Sequence, residues 1–237
     1  MSETKLYLLD VEGTVAPLTL TSEVLFPYAR AHFEEFLRKH ESDAAVRADL
    51  ALLGEENLAD VEAPQCTDGS VDAVLDYLLW LMDRNRKSTA LKSLQGKIWK
   101  AGFESGELKG MLFADVPDAF DRWSKAARVA IYSSGSVEAQ QLLFRYSNFG
   151  DLMPRIAGYF DTRTGAKRES ASYAAIAGAM QVAAEEVLFF SDVVAELDAA
   201  RGAGCGTRLV VRPGNAPLPV PFQDAHGHAQ VDSFANL

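Results

Sequence analysis

Lys5-Leu6-Tyr7-Leu8-Leu9-Asp10-Val11-Glu12-Gly13-Thr14 sets the reading of the whole chain. The segment from Lys5 to Leu9 is a short apolar run that stops abruptly at two carboxylates and a glycine. It predicts a buried strand running into a polar loop. Working outward, the same pattern recurs beyond Gly110. Val129-Ala130-Ile131-Tyr132 ends at Ser133-Ser134-Gly135-Ser136, and Val187-Leu188-Phe189-Phe190 ends at Ser191-Asp192. Tyr159-Phe160-Asp161 reads as a weaker strand, and Arg208-Leu209-Val210-Val211 as the last clear one.

Helical spacing fills the gaps between these strands. Pro117 to Ala127, Val137 to Tyr146, Ser170 to Gln181 and Ala195 to Ala203 are the expected helices. Strands alternating with helices imply right-handed crossovers and a parallel sheet. Between about Ser22 and Gly106 the pattern is helical throughout. Phe26, Tyr28, Ala29, Phe33 and Leu37 recur at near-helical spacing, Val71 to Met82 is dense in apolar residues, and Leu91, Leu94, Ile98 and Trp99 share a face. Ala63 to Ser70 reads as a loop, and the proline-rich tail after Arg212 as irregular. The expected fold class is therefore α/β: a Rossmann-like parallel-sheet core with a helical cap inserted after the first strand. Residues 1–21 and 107–237 would form the core and 22–106 the cap.

Composition narrows the function. The chain has 237 residues and a net charge of −10, which argues against a nucleic-acid binder needing a basic stripe. No apolar stretch approaches the roughly 20 residues needed to span a bilayer, and the first ten residues do not resemble a secretory signal. Two distant cysteines, Cys66 and Cys205, fit a reducing compartment, so a cytoplasmic location is expected. The expectation is a monomer acting on a small molecule, without nucleic-acid or membrane partners.

In open α/β sheets, ligands sit beyond the carboxyl ends of the strands. Asp10/Glu12, Ser133/Ser134 and Asp192 all fall at such ends. In an extended strand end, Asp10 and Glu12 would project to one side, and with Asp192 they would offer a hard cation such as Mg²⁺ an oxygen-rich site. Three carboxylates without a cation among them would otherwise repel one another. Ser133, with backbone N–H groups at a helix start, offers donors to a phosphate, and Lys167 a positive charge. One carboxylate could then attack phosphorus while the other handles protons. Taken singly, each cluster also has a plain reading as a helix N-cap or a solvated lysine. Glu196, one helical turn after Asp192, reads equally as support for the site or as a charge in a first helical turn.

Several features are set aside. Gly202-Ala203-Gly204-Cys205-Gly206 follows a helix, whereas a dinucleotide fingerprint opens one. His226 and His228 stand in the polar tail, and His32 and His40 at a helix surface or edge. Trp80, Trp99 and Trp123 are expected to pack in the core.

The motifs carry a resemblance. Leu8-Leu9-Asp10-Val11-Glu12-Gly13-Thr14 resembles the first motif of the haloacid dehalogenase superfamily, normally Asp-x-Asp-Gly-Thr, with Glu at position 12 where Asp is usual. Tyr132-Ser133-Ser134-Gly135-Ser136 looks like its second motif, Lys167 its third, and Phe190-Ser191-Asp192 with Glu196 its fourth. Leu25-Phe26-Pro27-Tyr28, Ala90 to Gly96, Ser133 to Phe144 and Val210 to Ala216 extend the likeness to the enolase-phosphatases of methionine salvage. That resemblance implies conversion of 2,3-diketo-5-methylthiopentyl-1-phosphate, by enolisation and dephosphorylation, to the acireductone 1,2-dihydroxy-5-methylthiopent-1-en-3-one. It implies Asp10 as nucleophile, Glu12 as acid/base, Lys167 as both a catalytic residue and the phosphate contact, and Ser133 and Ser134 as further substrate contacts. Asp10, Glu12 and Asp192 would hold one Mg²⁺ per subunit.

The alternatives are a Mg-dependent phosphatase of the same superfamily acting on another ester, and a non-catalytic phosphometabolite-binding protein. A pure binder has no need of the Asp10 nucleophile. A dehalogenase needs no metal, which the Asp10/Glu12/Asp192 set suits.

Overall fold

The structure, a computed structural model, describes residues 3–66, 70–215 and 227–237. It divides into two compact units, residues 1–20 with 109–237, and residues 21–108. The larger unit is built on six strands: β1 (Leu6–Leu9), β2 (Arg128–Tyr132), β3 (Gly158–Phe160), β4 (Val187–Ser191), β5 (Gly206–Val210) and β6 (Ala229–Val231). They lie in the order β3-β2-β1-β4-β5-β6, every neighbouring pair parallel. Among the described residues, this unit has the α-helices α5 (Val116–Trp123), α6 (Val137–Arg145), α7 (Ser170–Ala179) and α8 (Val194–Gly202). The expected parallel α/β core is present.

Alternation along the central strands separates two hydrophobic layers. Leu6 and Leu8 of β1 join Phe189, Tyr173, Ile176 and Leu197 in one. Tyr7 stacks on Trp123 at 4.4 Å in the other, where Trp123 also meets Phe190 and Phe234. Leu6, Leu8, Leu9, Phe189 and Phe190 are fully buried, each worth about 1.5–3 kcal/mol relative to an exposed side chain. This burial on both faces makes β1 a nearly continuous apolar run and places it mid-sheet.

The smaller unit is helical: α1 (Phe26–His40), α2 (Ala44–Ala59), α3 (Val71–Asp83) and α4 (Thr89–Ser105). Asp43, Ser70 and Ser88 cap the starts of α2, α3 and α4 through their side chains, and Gly106 ends α4 in the left-handed region at φ +83°. Gly102 of α4 lies so near Tyr28 that a Cβ there would come within 2.6 Å of its ring. Phe33, Leu37, Leu53, Tyr77, Leu78, Leu94 and Ile98 are buried.

Four expectations change. The helix read as Pro117 to Ala127 ends at Trp123, where the Ser124 hydroxyl bonds back to the Phe120 carbonyl at 2.6 Å. The tail is not wholly irregular, because Ala229–Val231 adds β6 to the edge of the sheet beside β5. His228 is buried rather than solvated, its ring between Thr207 Oγ1 at 2.7 Å and Asp198 Oδ1 at 3.1 Å. Trp80 is half-buried and lies under the guanidinium groups of Arg84 and Arg86, at 4.7 and 5.7 Å, whereas Trp99 and Trp123 are buried. His226, residues 67–69 of the expected loop and residues 216–226 of the tail lie outside the described residues.

Candidate active site

The site follows from strand order. β1 lies between β2 and β4, with Leu9 level with Ile131 on one side and Phe190 on the other. The residues just past those ends, Asp10, Ser133 and Asp192, therefore emerge side by side. The Asp10 N–H donates to the Phe190 carbonyl at 2.9 Å, and its carboxylate Oδ1 accepts the Val11 N–H at 2.7 Å. β1 ends at Leu9; Asp10 still bonds to β4 through that N–H, and Glu12 lies beyond it in an isolated bridge to Ala16.

Lys167 is the organising charge. Its Nζ lies 2.6 Å from Asp10 Oδ1 and 2.7 Å from Glu196 Oε2, with the three side chains only 8–11% exposed. Asp10 thus has a cationic partner, contrary to the expectation of uncompensated carboxylates. Burial disfavours the charged ammonium, but the negative charges of Asp10 and Glu196 outweigh it and hold the Lys167 pKa above its ordinary value. The Ser191 hydroxyl donates to Glu196 Oε2 at 2.9 Å and lies 3.4 Å from Asp10 Oδ2. Glu196 thus stands in the first turn of α8 with its carboxylate on Lys167 and Ser191, a placement compatible with both of its readings.

Asp192 is half-buried beside Gly13. Gly13 has φ +72°, and a Cβ on it would lie 2.4 Å from Asp192 Oδ2, so only glycine lets the carboxylate sit there. Burial, and then the charge of Asp10, push the Asp192 carboxyl up to about 7. A carboxylate so held back from ionising fits a divalent cation, which would favour its charged form. Among the described residues, no three side chains of His, Cys, Asp and Glu form a metal-holding group. Mg²⁺ needs only one or two carboxylates, its remaining positions going to waters and substrate phosphate. Asp10 and Asp192 are the two carboxylates that would be offered to such an ion.

Ser133 is buried, its Oγ accepting the Gly135 N–H at 3.1 Å. Ser134 is exposed, and Ser136 rather than Ser133 caps α6, accepting the Ala139 N–H at 3.2 Å. Cys66 and Cys205 are both buried and neither forms a disulfide, and burial pushes Cys205 up to about 11. Neither suits a nucleophile at neutral pH.

Two residues the sequence reading passed over hold the turn after Asp10. Arg212 Nε donates to the Thr14 carbonyl at 3.1 Å, and Asn215 Nδ2 to the Gly13 carbonyl at 2.9 Å. Arg212 also pairs both oxygens of Asp115, at 2.8 and 3.0 Å. Their only trace in sequence is the block from Val210 to Ala216.

Residues 4–204 match the family model of the haloacid dehalogenase-like hydrolases. The chain is 55% identical to Enolase-phosphatase E1 of Synechococcus elongatus over 216 residues, covering 90% of this chain and 91% of that protein. It is 46% identical to Enolase-phosphatase E1 of Leptospira borgpetersenii over 98% of each. Among solved structures it resembles the UTR4 protein of Saccharomyces cerevisiae, with a TM-score of 0.81 and 37% identity over the full length of both chains.

Proposed function

The chain belongs to the haloacid dehalogenase-like hydrolases and, within them, to the enolase-phosphatases, and from that membership we propose its reaction. It converts 2,3-diketo-5-methylthiopentyl-1-phosphate to the acireductone and phosphate, a step of methionine salvage. The observation that carries a phosphoryl-transfer reading is the contact of Lys167 Nζ with Asp10 Oδ1 at a strand end. It supports a reading in which Asp10 is the nucleophile and Lys167 the counter-charge of the phosphate.

In the first half-reaction a proton leaves the carbon bearing the phosphate ester, and the adjacent carbonyl oxygen takes up the negative charge. We assign the proton transfer to Glu12 or to a group it positions, with the Lys167 ammonium stabilising the oxygen. In the second, Asp10 attacks phosphorus and the ester oxygen leaves, protonated by Glu12. Water, deprotonated by Glu12, then cleaves the acyl phosphate and regenerates Asp10. Ser133 and Ser134 bind the phosphate end of the substrate. One Mg²⁺ per subunit, held by Asp10 and Asp192 with Glu12 completing the set through side chain or backbone, would supply electrostatic stabilisation of the transferring group. The helical unit, residues 21–108, contributes selectivity for the methylthio end. The enzyme acts as a monomer in the cytoplasm, on a small phosphorylated substrate.

The test is phosphate release from the diketo-phosphate with and without Mg²⁺. Turnover should vanish after dialysis against EDTA and return with Mg²⁺. Full turnover after exhaustive chelation would remove the metal from the reaction.

A further inference from the structure

The loop that carries Lys167 has its backbone fixed by an arrangement the reaction above does not use. The carbonyls of Gly165, Ala166 and Lys167, three in succession, each accept a hydrogen bond from a side-chain hydroxyl. Tyr132 Oη donates at 2.9 Å, Ser172 Oγ at 2.8 Å and Tyr173 Oη at 2.6 Å. All three donors are at most 2% exposed. An irregular segment ordinarily leaves such carbonyls to water. Here β2 and α7 supply the donors instead.

The loop is shaped to receive them. Gly165 has φ +150°, and a Cβ on it would lie 2.2 Å from Ser172 Oγ, so a side chain there would drive the donor away. The Tyr132 and Tyr173 rings meet edge to face at 5.6 Å, and Lys167 Nζ lies 5.9 Å from the centre of the Tyr132 ring. Burial raises the pKa of both phenols above the ordinary tyrosine value, which favours the protonated, donating form. The lysine is thus held at both ends: its own carbonyl by Tyr173 with the two preceding carbonyls held by Tyr132 and Ser172, its ammonium by Asp10 and Glu196.

We infer that Tyr132, Ser172 and Tyr173 are positioning residues for phosphoryl transfer, acting through Lys167. The inference rests on Lys167 as the counter-charge of the phosphoryl group. A lysine ammonium is a point charge on a flexible four-carbon stem. Its contribution depends on where the backbone starts that stem, and a displacement of about 1 Å can cost two orders of magnitude in rate. Tyr132 also immediately precedes Ser133, so the same strand end that presents a substrate contact sets the height of the Lys167 loop.

A double-mutant cycle separates positioning from plain scaffolding. Tyr173→Phe removes one hydroxyl and keeps the ring. It should lower kcat on the diketo-phosphate by about tenfold, and weaken inhibition by inorganic phosphate in the same direction. In a Lys167→Ala background it should have no further effect on either. Where turnover of Lys167→Ala is too slow to follow, calorimetric binding of inorganic phosphate to the same four proteins closes the cycle. Should Tyr173→Phe unfold, Tyr132→Phe and Ser172→Ala take its place. Equal losses with and without Lys167, or no loss at all in the wild-type background, would overturn the inference. Wild-type turnover by Lys167→Ala alone would instead overturn the role of Lys167 itself, and that outcome is distinct.

Discussion

Lys167 shows how one side chain sets the electrostatics of the site. It satisfies Asp10 and Glu196 together, and Ser191 ties Glu196 to the strand end beside it. Glu196→Gln keeps hydrogen-bonding capacity but removes the charge that faces the ammonium. Hydrogen bonds to charged groups contribute about 1.5–3 kcal/mol, so kcat/KM should fall by about one to two orders of magnitude while the protein remains folded by circular dichroism. A wild-type kcat/KM in Glu196→Gln would make the contact incidental. Glu12 calls for a different measurement. Replacing it with Asp withdraws the carboxylate by about 1 Å, enough to impair proton transfer severely. Enolisation, followed by ultraviolet absorbance, should fall much further in Glu12→Asp than hydrolysis of a simple aryl phosphate. Equal losses would leave Glu12 an ordinary acid/base and the enolisation base unassigned. Asp10 and Asp192 could be singled out in sequence because each follows a strand end, where ligands sit in open α/β sheets. That Lys167 pairs with Asp10 was not legible there, since nothing local in the chain reports a contact across 157 positions.

The C-terminal segment holds the turn after Asp10 through a buried ion pair. Arg212 lies between the rings of Phe113 and Phe234, at 4.5 and 4.4 Å, and pairs Asp115 through two nitrogens. The Phe234 N–H and the Ser233 hydroxyl, at 2.6 and 2.9 Å, complete the shell of that carboxylate. Asp115 stands at the start of α5 yet makes no side-chain cap there, because its oxygens are committed to this cluster. Burial alone would raise its pKa, but the Arg212 guanidinium and these N–H and O–H donors outweigh it and hold it below the ordinary aspartate value. A carboxyl depressed in the folded state contributes stability that is full above its unfolded pKa and is lost as pH falls through the folded one. Asp115→Asn leaves Arg212 buried without its partner and should cost about 3–5 kcal/mol near neutral pH. Urea unfolding should show the gap between the variant and wild type closing below about pH 4. A gap independent of pH would mean that the ion pair contributes nothing through charge. This cluster, like β6, escaped the sequence reading for a physical reason. Ala229–Val231 is three residues long, too short for alternation to declare itself, and its stability comes from pairing with β5.

At the scale of the molecule, the parallel sheet and the helical insertion were legible because each has its own hydrophobic period, and the two units of the structure differ in the same way. What residues 21–108 do for the reaction was not legible, since selectivity depends on surfaces that periodicity does not describe. Replacing residues 21–108 with a short linker should leave, at best, weak phosphatase activity with little preference for the diketo-phosphate over simple esters. Undiminished selectivity in that variant would assign the helical unit another purpose. A covalent two-stage conversion at Asp10 is tested by phosphate release and enediol absorbance followed together on the diketo-phosphate, for wild type and Asp10→Asn. The wild type should produce both signals in equal amounts, while Asp10→Asn, folded but lacking the anionic nucleophile, should release phosphate at least about a thousandfold more slowly. Phosphate release by Asp10→Asn at a rate near that of the wild type would contradict it.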